Sequence, residues 1–225
     1  VTERRPQGPL PGLLVGLTVV SGLVDAFSLL SLGRVFVSNM TGNVVFLGFA
    51  IAGTGGVSIE ASLLALVAFV LGARVGGRWA ADRTLHRGRL LAIATGVQAG
   101  LVIVAAIVVS VVGIPNLATQ LALLGLLGLA MGGQNGVVRR LGVPGLPTTV
   151  LTRTITGLVV DAGHAPLPAR PLLSVLALLC GAIVGAALLR WLALPAPLWL
   201  AALLLVGYGI GAGVAAARPR SDDWR

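Results

Sequence analysis

Charge is scarce in this sequence. Only 10% of its 225 residues are charged and 4% are aromatic, whereas a water-soluble domain normally carries about 25% charged residues. A water-facing globule is thereby disfavoured to the point of exclusion. Lysine is absent, cysteine occurs once and histidine twice. A single thiol rules out an intrachain disulfide or a cysteine-based metal site, and two separated histidines have no metal-ligand spacing. Cys180 lies in an apolar run and is expected to be a small buried hydrophobe. No Gly-x-Ser-x-Gly elbow, phosphate-binding loop or pair of intramembrane carboxylates occurs. An enzyme is therefore disfavoured, and no cofactor is expected.

What is present is apolar surface. Residues of hydrophobic type make up 56% of the chain, and mean hydropathy is +1.00. Six runs are long enough to cross about 30 Å of hydrocarbon: Pro11–Leu32, Ile59–Ala80, Leu90–Ile114, Leu117–Val138, Pro171–Leu192 and Ala196–Ala217. The fold class is all-α integral membrane. A transmembrane β-barrel would instead alternate polar and apolar residues in segments of about ten. The first run is too long for a signal-peptide core and no small-residue cleavage site follows it, so it is expected to be retained.

Two further segments, 35–53 and 148–161, are too polar or too short for a simple span. The arginines choose between crossing and re-entry. If both segments enter and leave on one side and the N-terminus is cytoplasmic, all sixteen arginines except Arg34 and Arg190 fall on the cytoplasmic side. Eight full crossings distribute them worse in either orientation. The positive-inside rule thus favours six spans with both ends cytoplasmic. The +9 net charge then sets topology and touches anionic lipid. Nucleic acid is not expected as a partner, because no basic face carries interleaved aromatics.

The two halves resemble each other in order. Asp25-Ala26 followed by Leu32-Gly33 has the spacing of Gln134-Asn135 followed by Leu141-Gly142, and Asn39-Met40-Thr41-Gly42 matches Thr154-Ile155-Thr156-Gly157. Ser62, Arg78 and Trp79 fall on Ser174, Arg190 and Trp191 at a constant offset of 112. Three crossings per half would invert the second copy, giving a 3+3 inverted repeat with one re-entrant or broken segment in each half. On this reading residues 1–10 are a cytoplasmic tail, 11–114 the first membrane repeat, 115–217 the second, and 218–225 a second cytoplasmic tail. Every span also carries a Gly-xxx-Gly pair, read as close helix packing and compatible with a homodimer.

Polar residues inside apolar runs are the candidates for chemistry. Asp25 has no basic residue within a helical turn, and a carboxylate at bilayer depth normally faces a cavity or a partner. It reads either as a proton- or cation-coupling group or a hydrogen-bond acceptor for substrate, or as a structural group paired with Arg34 or holding the first re-entrant segment. In that segment Asn39, Thr41, Gly42 and Asn43 interrupt an apolar run. A break at Thr41-Gly42 would make Thr41 or Asn43 an N-cap for the returning arm; the alternative is a continuous helix. Gln134 and Asn135 should face the bundle interior, since lipid offers them no partner. Thr152, Arg153, Thr154, Thr156 and Gly157 form the matching polar stretch of the second half, with Arg153 facing either an anionic substrate or the cytoplasmic mouth.

Gly22-Leu23-Val24-Asp25-Ala26, Gly33, Asn39-Met40-Thr41-Gly42-Asn43, Gly133-Gln134-Asn135 and Thr148-Thr149 through Thr156-Gly157 resemble the YoaK-like bacterial membrane proteins. That family is classed as a domain of unknown function, and its members are commonly labelled small-molecule transporters. The resemblance covers roughly residues 12–217, and Arg153 is more basic than it leads one to expect. It implies an inner-membrane protein without naming a substrate. The expected function is a secondary transporter or facilitator of a small polar metabolite, coupled to protons through Asp25. The alternatives are a passive channel lined by the two re-entrant segments, and a membrane scaffold that transports nothing. The expected partners are the lipid bilayer and a small-molecule substrate.

Overall fold

The structure, a computed structural model, describes residues 10–54, 56–81, 87–141 and 169–217. Within them the chain forms seven helices: α1 (Leu10–Ser31), α2 (Met40–Ile51), α3 (Ile59–Trp79), α4 (Arg87–Val111), α5 (Leu117–Leu141), α6 (Ala169–Trp191) and α7 (Ala196–Ala217). All but α2 are long and apolar enough to span a membrane. Their boundaries lie within three residues of the apolar runs, because in lipid a backbone stretch must satisfy its own hydrogen bonds and only a helix does so locally. At 1.5 Å per residue, the 12 residues of α2 reach about 18 Å, well short of the hydrocarbon thickness.

Helix ends are closed by local chemistry. Ser58 caps α3, its hydroxyl accepting from Ala61 N at 3.1 Å. Asn116 caps α5 in the same way through Thr119 N at 2.9 Å. After α1 the chain turns sharply through Gly33 and Arg34, both at positive φ (83° and 61°). Gly33 is needed there twice over: only glycine adopts that φ without strain, and a Cβ would collide with the Gln120 side-chain amide. Gln120 in turn donates to the Leu32 carbonyl at 3.0 Å, tying the end of α1 to the start of α5.

α1 and α5 are the interior helices. Their spans are 67% and 61% buried, against 22–39% for the other four. α1 packs on α6 and α7, α5 packs on α3 and α4, and α4 joins α7. The bundle is thus two lobes, α1/α6/α7 and α3/α4/α5, joined by an α4–α7 contact more extensive than either of those helices makes within its own lobe. Each lobe borrows its central helix from the opposite half of the sequence. Outward faces carry residues such as Val70, Leu179, Ile183 and Leu203, all exposed, as lipid contact requires.

Only some of the Gly-xxx-Gly pairs are used for close approach. Gly72, Gly76, Gly132 and Gly136 bring α3 and α5 backbone to backbone, and Gly22, Gly181 and Gly185 do the same for α1 and α6. Gly96, Gly100, Gly207 and Gly211 have no neighbour within 4 Å of a built Cβ, which corrects the expectation that all six pairs are packing sites. Cys180 is another correction: it is exposed on α6 rather than buried, since only one face of that helix meets α1.

Candidate functional site

Residues 32–39 between α1 and α2 are not helical, yet Val35, Val37 and Ser38 are buried. Irregular backbone inside a bundle must find partners for its N–H and C=O groups. Here polar side chains supply them. The Asp25 carboxylate accepts from Val37 N at 3.0 Å and Ser38 N at 2.8 Å through one oxygen, and from the Ser38 hydroxyl at 2.5 Å through the other. Ser28, one helical turn further along α1, donates to the Val35 carbonyl. From the other side Asn43 accepts from Phe36 N at 2.8 Å and donates to Phe36 O at 2.6 Å. Asp25, Ser28 and Asn43 thus complete the bonding of the buried non-helical segment.

The break itself differs from the expected one. It precedes Met40, with Asn39 as the N-cap residue of α2; Thr41 and Gly42 lie inside the helix, and neither Thr41 nor Asn43 caps it. Asn43 is instead fully buried in the first turn, because both faces of its amide are taken by Phe36. The alternative of one continuous helix holds through Thr41, Gly42 and Asn43 but not over residues 35–39, which are non-helical. Gly42 lets the Phe36 ring lie against the α2 backbone, where a Cβ would come within 2.8 Å of it. Phe36 also stacks on Phe46 at 5.7 Å between ring centroids.

The Asn43 amide gives a testable consequence. Asn43→Asp keeps the shape but replaces the donor facing Phe36 O with a carboxylate oxygen. Losing this buried bond costs about 1–3 kcal/mol, or roughly 2–12 °C of melting temperature at about 2–4 °C per kcal/mol. A thermal melt in detergent should place Asn43→Asp at least as low as Asn43→Ala. A variant as stable as wild type would show that the amide is not holding the segment.

A cavity of about 310 Å³ lies between α1, this segment and α6, its walls including Asp25, Ser38, Asn39, Phe36 and Ala182. Asp25 is 7% exposed, six residues before the end of α1, or about 9 Å inside it. Asp25 and Asn39 thus share one cavity, with Asn43 behind its wall. Thr41 is exposed on α2 and does not line it.

Gln134 and Asn135 are elsewhere. Gln134 accepts a hydrogen bond from the Gln98 amide, and Asn135 donates to Met131 O at 2.9 Å. Gln134 and Gln98 sit on a second cavity of about 300 Å³ between α3, α4 and α5. Sequence reasoning missed Gln98, although a lone amide inside the apolar run of α4 carries the same signal as Gln134. It also passed over Ser28 and Ser38 as site residues. Thr152, Arg153, Thr154, Thr156 and Gly157 lie outside the described residues, and so does the second candidate re-entrant segment. Among the described residues no group of three His, Cys, Asp or Glu side chains is placed to hold a metal ion.

A family model described as "Protein of unknown function (DUF1275)" matches residues 13–211. The chain is also similar to the UPF0700 transmembrane protein YoaK of Bacillus subtilis (strain 168), at 34% identity over 151 residues. That alignment covers 66% of this chain and 65% of the relative, so it spans a little under two thirds of the relative's length. No solved structure matches the chain.

Proposed function

Because the chain belongs to the DUF1275 family of proteins of unknown function, with a transmembrane protein among its relatives, we propose that it is a secondary transporter or facilitator of a small polar metabolite. It resides in the bacterial inner membrane with both termini cytoplasmic, the arrangement favoured by the arginines. The observation that carries the reading is a buried carboxylate, Asp25, on the wall of a cavity that it shares with Ser38 and Asn39. A carboxylate inside a predicted span is costly to place and is usually tied to a transport path.

An inverted repeat is supported by the packing. Exchanging α1 with α5, α3 with α6 and α4 with α7 turns the α3–α5 contact into α6–α1 and the α4–α5 contact into α7–α1, while α4–α7 maps onto itself. Positions matched between the two halves agree: Ser62 and Ser174 are both buried, as are Asp25 and Gln134. The re-entrant reading of 35–53 is supported by the bond from Ser38 to Asp25 inside the span and by the shortness of α2.

The moving bodies are then the closely packed pairs α1/α6 and α3/α5 rather than the two sequence halves, with the α4/α7 pair between them. Glycine contacts lock α1 to α6 and α3 to α5, whereas along α4–α7 a methyl built at Gly209 meets Ala92 O at an ordinary 3.7 Å. Protonating Asp25 converts an acceptor-only group into one that also donates, which reverses its bond with Ser38 and frees the Ser38 hydroxyl proton to bond another group in the cavity. Proton occupancy and the hydrogen bonds the cavity offers are coupled in this way.

The test is uptake into proteoliposomes with a trapped pH dye and pooled metabolites. Wild type should give a substrate-dependent pH change. Asp25→Asn should lose it while staying folded, since its amide oxygen still accepts from Val37 N and Ser38 N. Unchanged coupling in Asp25→Asn would end the proton role of this residue. No signal from either protein would remove proton coupling and leave the passive pore or the non-transporting scaffold.

A further inference from the structure

The second cavity holds an unmet hydrogen-bonding demand. Gln98 and Gln134 are 2% and 5% exposed. Gln98 Nε2 donates to Gln134 Oε1 and reaches the Met131 sulfur at 3.4 Å. That leaves Gln98 Oε1 and Gln134 Nε2 buried with no hydrogen-bond partner among the described residues. One mutual bond between two amides always leaves one carbonyl and one amino group over, so reversing both amide orientations gives the same inventory. Both residues line the cavity of about 300 Å³, whose remaining described walls include Trp79, Val97, Leu101 and Leu129.

No charged side chain is among those described walls. An ion entering such a lining would lose its hydration without compensation. A neutral planar group that presents one donor beside one acceptor would complete both orphaned atoms once the two amides rotate to turn them from the packed interior, where they are fully buried, towards the cavity. Its apolar body would lie against Trp79 and the aliphatic side chains. The volume is at the lower end of the range for small-molecule sites, about 300–1,000 Å³, which suits a compact ligand.

We propose that the Gln98–Gln134 pair is a binding site for an uncharged ligand bearing a primary carboxamide edge or its isostere, the undissociated carboxylic acid. This site lies in the α3/α4/α5 lobe, apart from the Asp25 cavity, and its occupancy does not depend on transport or on proton coupling.

Benzamide is the probe, used in the low-millimolar range with purified full-length protein in detergent. It should raise the melting temperature of wild type, and N,N-dimethylbenzamide, which has no donor, should not. The double variant Gln98→Leu/Gln134→Leu removes the orphaned groups. It should be at least as stable as wild type without ligand, because two unsatisfied buried amides are gone. Its benzamide affinity should fall by at least about tenfold, the effect of two neutral hydrogen bonds. Benzoic acid should protect wild type below its own pKa and lose that effect once ionised; if it fails while benzamide binds, the carboxamide alone is the ligand class.

Equal protection by benzamide and its dimethyl analogue would overturn the proposal, and so would a shift retained in the double variant or no shift in wild type. Should the double variant not fold, Gln134→Met is measured in its place, and the dimethyl comparison on wild type stands regardless. All readouts are of binding. A failed benzamide shift therefore leaves the Asp25 transport reading untouched, and a failed flux assay leaves this one untouched.

Discussion

Asp25→Ala is expected to leave little folded protein. The substitution strands the Val37 N–H, the Ser38 N–H and the Ser38 hydroxyl at once, and a water from the adjoining cavity, with two lone pairs, cannot accept from all three. Each stranded donor costs about 1–3 kcal/mol, so the sum is comparable with a whole domain's stability of about 5–15 kcal/mol. Asp25→Asn keeps an oxygen for the two backbone donors and turns an amino group towards Ser38, whose hydroxyl can accept. Ser38→Ala removes only one bond and should fall between Asp25→Asn and Asp25→Ala. Monodisperse yield after detergent extraction, followed by a thermal melt, ranks the three. If Asp25→Ala melts with wild type, Asp25 does not hold the 32–39 segment, and its polar environment would have to serve the cavity alone.

The second large effect is expected at Gly132. A Cβ there collides with the Phe69 backbone carbonyl of α3, and backbone on both sides leaves no side chain free to swing away. The α3–α5 pair must then separate, undoing the neighbouring contacts of Gly72, Gly76 and Gly136. Overpacking of this kind costs about 1–3 kcal/mol, or roughly 2–12 °C for a chain of this size. Gly96→Ala is the matched control: it has no neighbour within 4 Å of the new methyl, and alanine is the better helix former by about 1 kcal/mol. The two substitutions should therefore move the melting temperature in opposite directions. A Gly132→Ala protein as stable as Gly96→Ala would mean that α3 and α5 are not in backbone contact.

The glycines also show why part of the fold was legible and part was not. Six apolar runs named six helices to within three residues, because hydropathy and the helix's internal hydrogen bonding are both local properties of the chain. The Gly-xxx-Gly spacing is local too, but whether such a pair faces a helix or lipid depends on how the bundle rotates each helix. Gly72/Gly76 and Gly96/Gly100 are indistinguishable as sequence and differ entirely in their surroundings.

The same division runs through the candidate sites. That Asp25, Asn43 and Gln134 would be special followed from their being polar in apolar runs. What each one touches did not. Asn43 reaches back seven residues to Phe36, Asp25 forward thirteen to Ser38, and Gln134 across to Gln98, 36 positions away. The location of the break was hidden for a related reason. Residues 32–39 leave the helix because α1 and α2 side chains satisfy their backbone, and Thr41-Gly42, the most turn-like pair in the stretch, remains helical once Asn43 is engaged.

By itself, then, the sequence determined that this is a multi-pass α-helical membrane protein, where its six spans lie, and which few polar groups had to be accounted for. Lipid makes those conclusions local, since every residue in it answers to the same solvent. Only the tertiary structure decided that each lobe takes its central helix from the other half of the chain. It also decided which glycines are interfaces, that Asp25 carries a non-helical segment, and that two glutamines share one hydrogen bond and leave two groups unmet. Those outcomes depend on which surfaces meet in space, a property of the packed bundle that no stretch of the chain encodes alone.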